Sequence, residues 1–216
     1  MAQKQEFLDA EGDAYFDRNP KDADCESDPV VRALAPLAIK PKMVLEIGCG
    51  NGARLACVTR LIGGTGHGIE PSGKAVEFAT REFPELKVVQ GTADDLPYAD
   101  GQFDLVIFGF CLYLCDPQDH FRIAWQADRV LKETGFVVIK DFLPPSPFRN
   151  AYAHKPGVRS YKMDWSTMFT WHPAYRLLTR HYIEHAKPFT FHPNERICID
   201  VLRKDATVAF PDNPYR

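Results

Sequence analysis

The 216-residue chain lacks several features that would assign it to a special class of protein. It has no apolar run near the roughly 20 residues that cross a bilayer, so we predict no membrane segment. Residues 1–6 are polar and do not resemble a secretory signal. The 6 cysteines include no CxxC pair, which indicates neither a zinc ribbon nor a disulfide framework. We therefore expect reduced cysteines and a cytoplasmic protein.

The chain also lacks a large excess of charge of either sign. There are 26 Lys and Arg against 29 Asp and Glu, which gives a formal net charge of -3. This balance argues against a nucleic-acid partner bound through bulk electrostatics. With 14 Gly, 17 Pro and 45% hydrophobic residues, the composition is that of an ordinary globular domain. The length fits a single domain.

Short apolar runs alternate with segments of helical spacing over the first two thirds of the chain. The runs are continuous rather than alternating, as in strands buried on both faces of a parallel sheet. They lie at 43–47, 67–69, 86–89, 103–108 and 135–139, with predicted helices at 27–38, 54–62, 72–83 and 117–131. Trp125 is predicted to be a core residue on the last of these helices. The alternation predicts an α/β fold with a Rossmann-like, doubly wound sheet. With two further strands near the C-terminus, this sheet would have seven strands.

The two ends of the chain break this pattern. We predict one domain, in which 1–40 form an N-terminal cover, 41–142 a cofactor-binding core, 143–180 a substrate cap and 181–216 edge strands. The sequences of 181–191 and 196–202 are typical of strands, and they predict an antiparallel pair at the edge of a mostly parallel sheet.

A glycine-rich loop, Gly48-Cys-Gly-Asn-Gly52, joins the first strand to the first helix of this core. Open α/β sheets bind ligands at this edge, and glycine lets a ligand approach the main chain. Glu70 ends the second strand, 20 residues after Gly50, where a carboxylate accepts the hydroxyls of a ribose. The layout predicts a nucleotide-type ligand.

Two ligands fit the loop, and Glu46 bears on the choice between them. Gly48-x-Gly50-x-x-Ala53 satisfies the dinucleotide fingerprint in its G/A form, which keeps a nicotinamide enzyme open. A carboxylate at Glu46 would repel a pyrophosphate, whereas it would attract the ammonium and sulfonium of S-adenosylmethionine. We therefore favour S-adenosylmethionine.

Five ordered motifs resemble those of the class I S-adenosylmethionine-dependent methyltransferases. The stretch from Val44 to Gly52 is similar to their first motif, 69–72 to the end of their second strand, and 91–98 to their adenine loop. The stretches 103–108 and 112–116, with Lys140 and Asp141 after the fifth strand, complete the series. The segments 11–19 and 152–164 are similar to parts of methyltransferases of bacterial surface-sugar biosynthesis.

The resemblance implies a set of residues around the cofactor and its product, S-adenosylhomocysteine. The methionine portion would lie on Glu46, Gly48, Cys49, Gly50 and Gly52, and near Phe108, Gly109 and Phe110. Glu70 would hold the ribose and Pro71 would lie against the adenine. The family usually has an acid where this chain has Thr92, so Asp94, or Thr92 with the Ala93 amide, would meet the adenine. Tyr15 and Arg18 are candidates to bind the cofactor carboxylate.

Methyl transfer needs positioning and, for a protonated nucleophile, a base. Asp141, His154 and Lys162 are the candidates for base or orienting group. Trp165, Phe169 and Trp171 would form either a substrate lid or a small core beneath a cap.

His181-x-x-Glu184-His185 matches a zinc pattern that requires a helix. Its surroundings favour a strand, so no metal site is predicted.

We therefore expect methyl transfer to a small-molecule acceptor. The alternatives are a nicotinamide-dependent oxidoreductase and a protein that binds S-adenosylmethionine without turnover. The acceptor atom is open, as is the choice between a monomer and a homodimer.

Overall fold

The computed structural model describes residues 2–19, 24–185 and 192–215. Two short helices, α1 (Gln3–Glu6) and α2 (Gly12–Arg18), are joined by a π-helical turn (Phe7–Glu11). From here on, the N-terminal cover means residues 2–19, the first part of the predicted segment 1–40. A third helix, α3 (Pro29–Leu34), begins at Asp28, whose side chain accepts hydrogen bonds from the amides of Val30 and Val31, as an N-cap should.

A central α/β unit follows the cover. It contains β1 (Met43–Ile47), α4 (Ala53–Leu61), β2 (Thr65–Glu70), α5 (Gly73–Glu82), β3 (Lys87–Gln90), β4 (Phe103–Gly109), α6 (His120–Val130) and β5 (Leu131–Phe142). A hairpin of β6 (Phe148–Ala151) and β7 (Arg159–Lys162) comes next, then α7 (Thr167–Thr170), β8 (Tyr175–Glu184) and β9 (Arg196–Asp205).

The main sheet has seven strands in the order β3-β2-β1-β4-β5-β9-β8. The first five are parallel, whereas β9 runs antiparallel to β5 and to β8. Buried side chains of α6 and α7 pack on one face of this sheet, and those of α3 and α4 pack on the other. The predicted doubly wound, mostly parallel sheet with an antiparallel edge is confirmed.

Three details of the predicted fold are wrong. Trp125 is 57% exposed, because it lies on the outer face of α6 and not on the face formed by Ile123, Ala127 and Val130. The edge strand begins at Tyr175 rather than at 181, and residues 186–191 of the predicted strand lie outside the described residues. The single domain and its four segments remain predictions.

The third error concerns two cysteines. Cys25 and Cys57 form a disulfide that joins the chain before α3 to α4, although reduced cysteines were expected. A CxxC search cannot find such a pair, because the two residues are 32 positions apart. Cys49, Cys111, Cys115 and Cys198 are free.

Candidate functional site

A cavity of about 630 Å³ lies at the carboxyl ends of the parallel strands. That volume is in the range of small-molecule sites, about 300–1,000 Å³. The glycine loop, the end of β2, the loop after β3 and the N-terminal cover all contribute to its wall. Eleven of the fifteen predicted cofactor residues line it: Tyr15, Gly48, Cys49, Gly50, Glu70, Pro71, Thr92, Ala93, Asp94, Gly109 and Phe110.

The glycine loop bends sharply because three of its residues have positive φ. Gly48, Gly50 and Gly52 have φ of 69°, 55° and 78°, a region that glycine adopts without steric cost. A Cβ at Gly50 would have nothing within 4 Å, so this residue faces open space. A Cβ at Gly52 would lie 3.0 Å from the Cβ of Ala79, so this residue faces α5. Gly52 does not line the cavity.

Glu70 fixes the geometry of this loop. Its Oε2 accepts the amide of Gly50 at 2.9 Å and its Oε1 accepts the amide of Ser72 at 3.0 Å. Burial raises the pKa of the Glu70 carboxyl, and these two hydrogen bonds oppose the shift. Each carboxylate oxygen keeps a further lone pair, so Glu70 can accept hydroxyls of a ligand while it holds the loop.

Glu46 has a role that the sequence did not indicate. It is fully buried, and its Oε1 accepts a hydrogen bond from Nη1 of Arg54 at 2.8 Å. Arg54 also donates to Asp28 at 3.2 Å and to the carbonyl of Gly109 at 3.3 Å. Burial raises the pKa of Glu46 to about 7, against the effect of Arg54. Glu46 does not line the cavity, so its charge is not free to select a cation, as the sequence argument assumed.

The turn after β4 is backbone-strained. Phe110 has φ of 72°, which is uncommon for a residue other than glycine and often marks a functional site. A Cβ at Gly109 would lie 2.5 Å from Oε1 of Glu46, so only glycine fits there. Phe108 is fully buried against Phe169 and lies behind the cavity wall.

The loop after β3 is held from both sides. Asp94 accepts the hydroxyl of Thr92 at 2.8 Å and pairs with Nζ of Lys4 at 2.5 Å. Burial acts to raise the pKa of Asp94, but the hydrogen bonds from Lys4 and Thr92 outweigh it and the pKa is lowered. Arg122 donates to the carbonyl of Asp94 at 2.6 Å. Which of Thr92 and Asp94 meets an adenine stays open.

The N-terminal cover closes the cavity through side chains that were not predicted, except for Tyr15. Asp13 accepts the hydroxyl of Ser72 at 2.7 Å, and Gln3 donates to the carbonyl of Leu114 at 2.9 Å. Tyr15 lines the cavity. Arg18 does not line it, because its guanidinium pairs with Glu11 at 2.5 Å.

The three predicted catalytic residues lie outside the cavity lining in the described part of the chain. Asp141 is fully buried and accepts the amides of Phe142 at 2.7 Å and Tyr113 at 3.3 Å. Burial raises its pKa to about 7. Lys162 donates to Asn194 at 2.6 Å, and His154 is exposed. Their role in catalysis remains a prediction.

The aromatic residues of the predicted cap divide between core and surface. Trp165 and Phe169 are buried in the core, whereas Trp171 is 75% exposed.

In the His181-x-x-Glu184-His185 pattern, His181 and Glu184 belong to strand β8, and His185 follows the last residue of that strand. In residues 2–19, 24–185 and 192–215, no group of three or more His, Cys, Asp or Glu is placed to hold a metal. Over the same residues, no helix is long and apolar enough to cross a membrane.

Comparison with known proteins agrees with this geometry. Residues 45–139 match the family model of a methyltransferase domain. The matched stretch runs from β1 to β5 and contains the glycine loop, Glu70 and the loop after β3. This stretch resembles a methyltransferase domain. The predicted resemblance to the class I enzymes is confirmed.

Curated relatives match about half of the chain. An uncharacterized methyltransferase of Synechocystis sp. is 36% identical over 114 residues, 52% of this chain and 53% of that protein. Demethylmenaquinone methyltransferase of Thermotoga maritima is 32% identical over 120 residues, 52% of this chain and 49% of that protein. The chain thus spans about half the length of the curated relatives it matches.

A solved structure matches over a longer range. The 1,6-didemethyltoxoflavin-N1-methyltransferase of Burkholderia thailandensis, crystallised with 1,6-didemethyltoxoflavin and S-adenosylhomocysteine, has a TM-score of 0.72. The match covers 94% of this chain and 87% of that chain at 14% identity. At this identity the likeness shows the fold, and its coverage is wider than residues 45–139.

Proposed function

We propose that the protein transfers a methyl group from S-adenosylmethionine to a small-molecule acceptor. The observation that carries the proposal is the pairing of Glu70 with the glycine loop at the wall of the cavity. A buried carboxylate with free lone pairs suits vicinal hydroxyls, and the open face of Gly50 leaves room for a ligand against the main chain. The residues present therefore fit this cofactor.

Each part of the cavity would contact a different part of the cofactor. Glu70 would accept the ribose hydroxyls, and Pro71 with the 92–94 loop would enclose the adenine. Gly48, Gly50 and Gly109 would leave space for the methionine portion.

When bound, S-adenosylmethionine supplies an electrophilic methyl group on a positively charged sulfur. The protein's own contribution is to orient the acceptor and exclude water, since this chemistry depends mainly on positioning. The N-terminal cover, held to the domain by Lys4, Asp13 and Gln3, provides the enclosure.

The methyltransferase matches favour this function over the nicotinamide alternative. Because Arg54 neutralises Glu46, electrostatic repulsion of a pyrophosphate contributes less to that preference than the sequence indicated. The acceptor atom and the oligomeric state stay open, and the cytoplasmic location remains a prediction.

Calorimetry tests the proposal. We expect saturable binding of S-adenosylhomocysteine and no comparable binding of NAD. Tight binding of NAD with no binding of S-adenosylhomocysteine would refute it. Transfer of a labelled methyl group to a panel of small molecules would then separate an enzyme from a binding protein.

A further inference from the structure

Lys140 is a cation that the described structure leaves without a hydrogen bond or an ion pair. It is partly buried, lies at the end of β5 opposite Gly109 of β4, and lines the cavity. The Nζ of Lys140 lies 5.7 Å from the centroid of the Phe110 ring. Because a buried ammonium normally has a partner, an unpaired one in a cavity wall indicates a role with a ligand.

The charges around Lys140 come from several elements and are of both signs. Arg54 of α4 is a like charge, whereas Asp28 before α3, Glu46 of β1 and Asp141 of β5 are acids. Burial and Arg54 lower the pKa of Lys140 to about 8, and the acids oppose this shift. The lowered pKa increases the share of the neutral amine, which is the form that a general base requires.

Beside Lys140, the cavity offers a flat apolar surface. Phe110 contacts three rings, those of Tyr113 at 4.9 Å, Phe142 at 5.0 Å and His185 at 5.8 Å between centroids. Of these three partners only His185 also lines the cavity, and its ring is stacked on Phe110 with 27° between the ring planes. Ile183 and Ile197 of the edge strands complete this part of the wall. The positive φ of Phe110 turns the chain sharply after β4, and its ring lies at the cavity wall beside Lys140.

We propose that this end of the cavity binds a planar acceptor with an acidic hydroxyl, a phenol or enol, and that Lys140 takes its proton. The proposal rests on the function proposed above and adds the class of acceptor and the base. The oxygen–methyl bond forms as the sulfur–methyl bond breaks, and the hydroxyl proton goes to the lone pair on Nζ of Lys140. The sulfur leaves as a neutral thioether, so no oxidant or reductant is needed.

The test uses 4-nitrophenol, whose ionised form is read by its absorbance, with the protein saturated with S-adenosylhomocysteine. We expect the bound phenol to ionise at a pH lower by about one unit or more, a tenfold or greater change in its ionisation constant, because of the adjacent ammonium. Lys140→Met should abolish the shift. Lys87→Met, at an exposed lysine of β3, should keep it. The neutral ether 4-nitroanisole should bind equally to wild type and Lys140→Met.

Lys140→Arg separates a base from a counter-charge, since arginine keeps the charge but does not give up its proton. This variant should keep the optical shift with 4-nitrophenol. It should lose transfer of methyl groups from S-adenosylmethionine to unsubstituted phenol, a weaker acid that stays protonated at neutral pH unless a base takes its proton. Transfer to phenol at the wild-type rate in Lys140→Arg, or an optical shift that survives in Lys140→Met, would overturn the proposal.

Two controls keep the result interpretable. Lys140→Gln replaces Lys140→Met if the latter does not fold by circular dichroism. If S-adenosylhomocysteine does not bind to wild type, the proposed function fails. If it binds and the phenol shows no shift, only the present inference fails.

Discussion

Replacement of Glu70 by Gln tests the cofactor end of the cavity most directly. The carboxylate now accepts two amides, those of Gly50 and Ser72, and has two lone pairs left for a ligand. The amide of Gln has only one acceptor oxygen. The variant would therefore place an NH2 group against either a backbone amide or a ligand hydroxyl.

The expected loss of affinity follows from this count. One hydrogen bond from a ligand hydroxyl to a charged acceptor would be lost, at about 1.5–3 kcal/mol. Binding of S-adenosylhomocysteine should weaken by about 10- to 150-fold, since each 1.4 kcal/mol is a factor of ten. One backbone amide also loses its acceptor, which costs about 1–3 kcal/mol of stability.

Titration calorimetry at a temperature where both proteins are folded measures the effect, with thermal unfolding as a check. Glu77→Gln, at an exposed residue of the neighbouring helix α5, makes the same chemical change away from the cavity and should bind as wild type does. Equal affinity in Glu70→Gln and wild type would refute the assignment of Glu70 to the ligand.

Three further predictions concern stability, each measured by denaturant unfolding. Burial raises the pKa of Asp141 to about 7 in the folded protein from an ordinary value of 3.8. Its contribution to the free energy of unfolding is therefore fully present below about pH 4 and is lost as the pH rises through 7. Asp141→Asn should remove a slope of up to about 1.4 kcal/mol per pH unit, and an unchanged pH profile would contradict this. Arg54→Met should cost about 3–5 kcal/mol by leaving Glu46 buried and unpaired, and Glu46→Gln in the same chain should recover part of it. Reduction should cost about 3–4 kcal/mol, from the loop closed by Cys25 and Cys57, with no effect on the Cys25→Ser, Cys57→Ala double variant.

The predictable part of the fold is the part with local signals. Strands 43–47 and 103–108 are continuous apolar runs, and the glycine loop between strand and helix locates the cavity edge. Glu70 is predicted from its position at the end of the second strand, 20 residues after Gly50 in the sequence. In the structure, the carboxylate of Glu70 accepts a hydrogen bond from the amide of Gly50. These signals depend on residues close in sequence or on regular spacing.

The remainder depends on contacts between distant residues. Arg54 pairs with Glu46 and Asp28 across three elements, and the only sequence signal was a cation in the first turn of α4, where the helix dipole disfavours it. Lys140 is a motif residue in the sequence, but only the structure shows that it lines the cavity and that, within the described residues, it has no hydrogen bond or ion pair. The prediction that Trp125 is a core residue is wrong for a different reason. Helical spacing identifies an apolar stripe without saying which edge of the stripe faces the core.

Charge is one part of what attaches the N-terminal cover to the rest of the chain. Ion pairs join Lys4 to Asp94, Glu6 to Lys155 and Asp17 to Lys74. The opposite wall of the cavity consists of strand ends held by main-chain hydrogen bonds and buried side chains. Salt at physiological concentration screens the first kind of attachment far more than the second. We therefore expect ionic strength to act on the attachment of the cover more than on the floor of the cavity, so that the exchange of ligands and their affinity depend on different parts of one small domain.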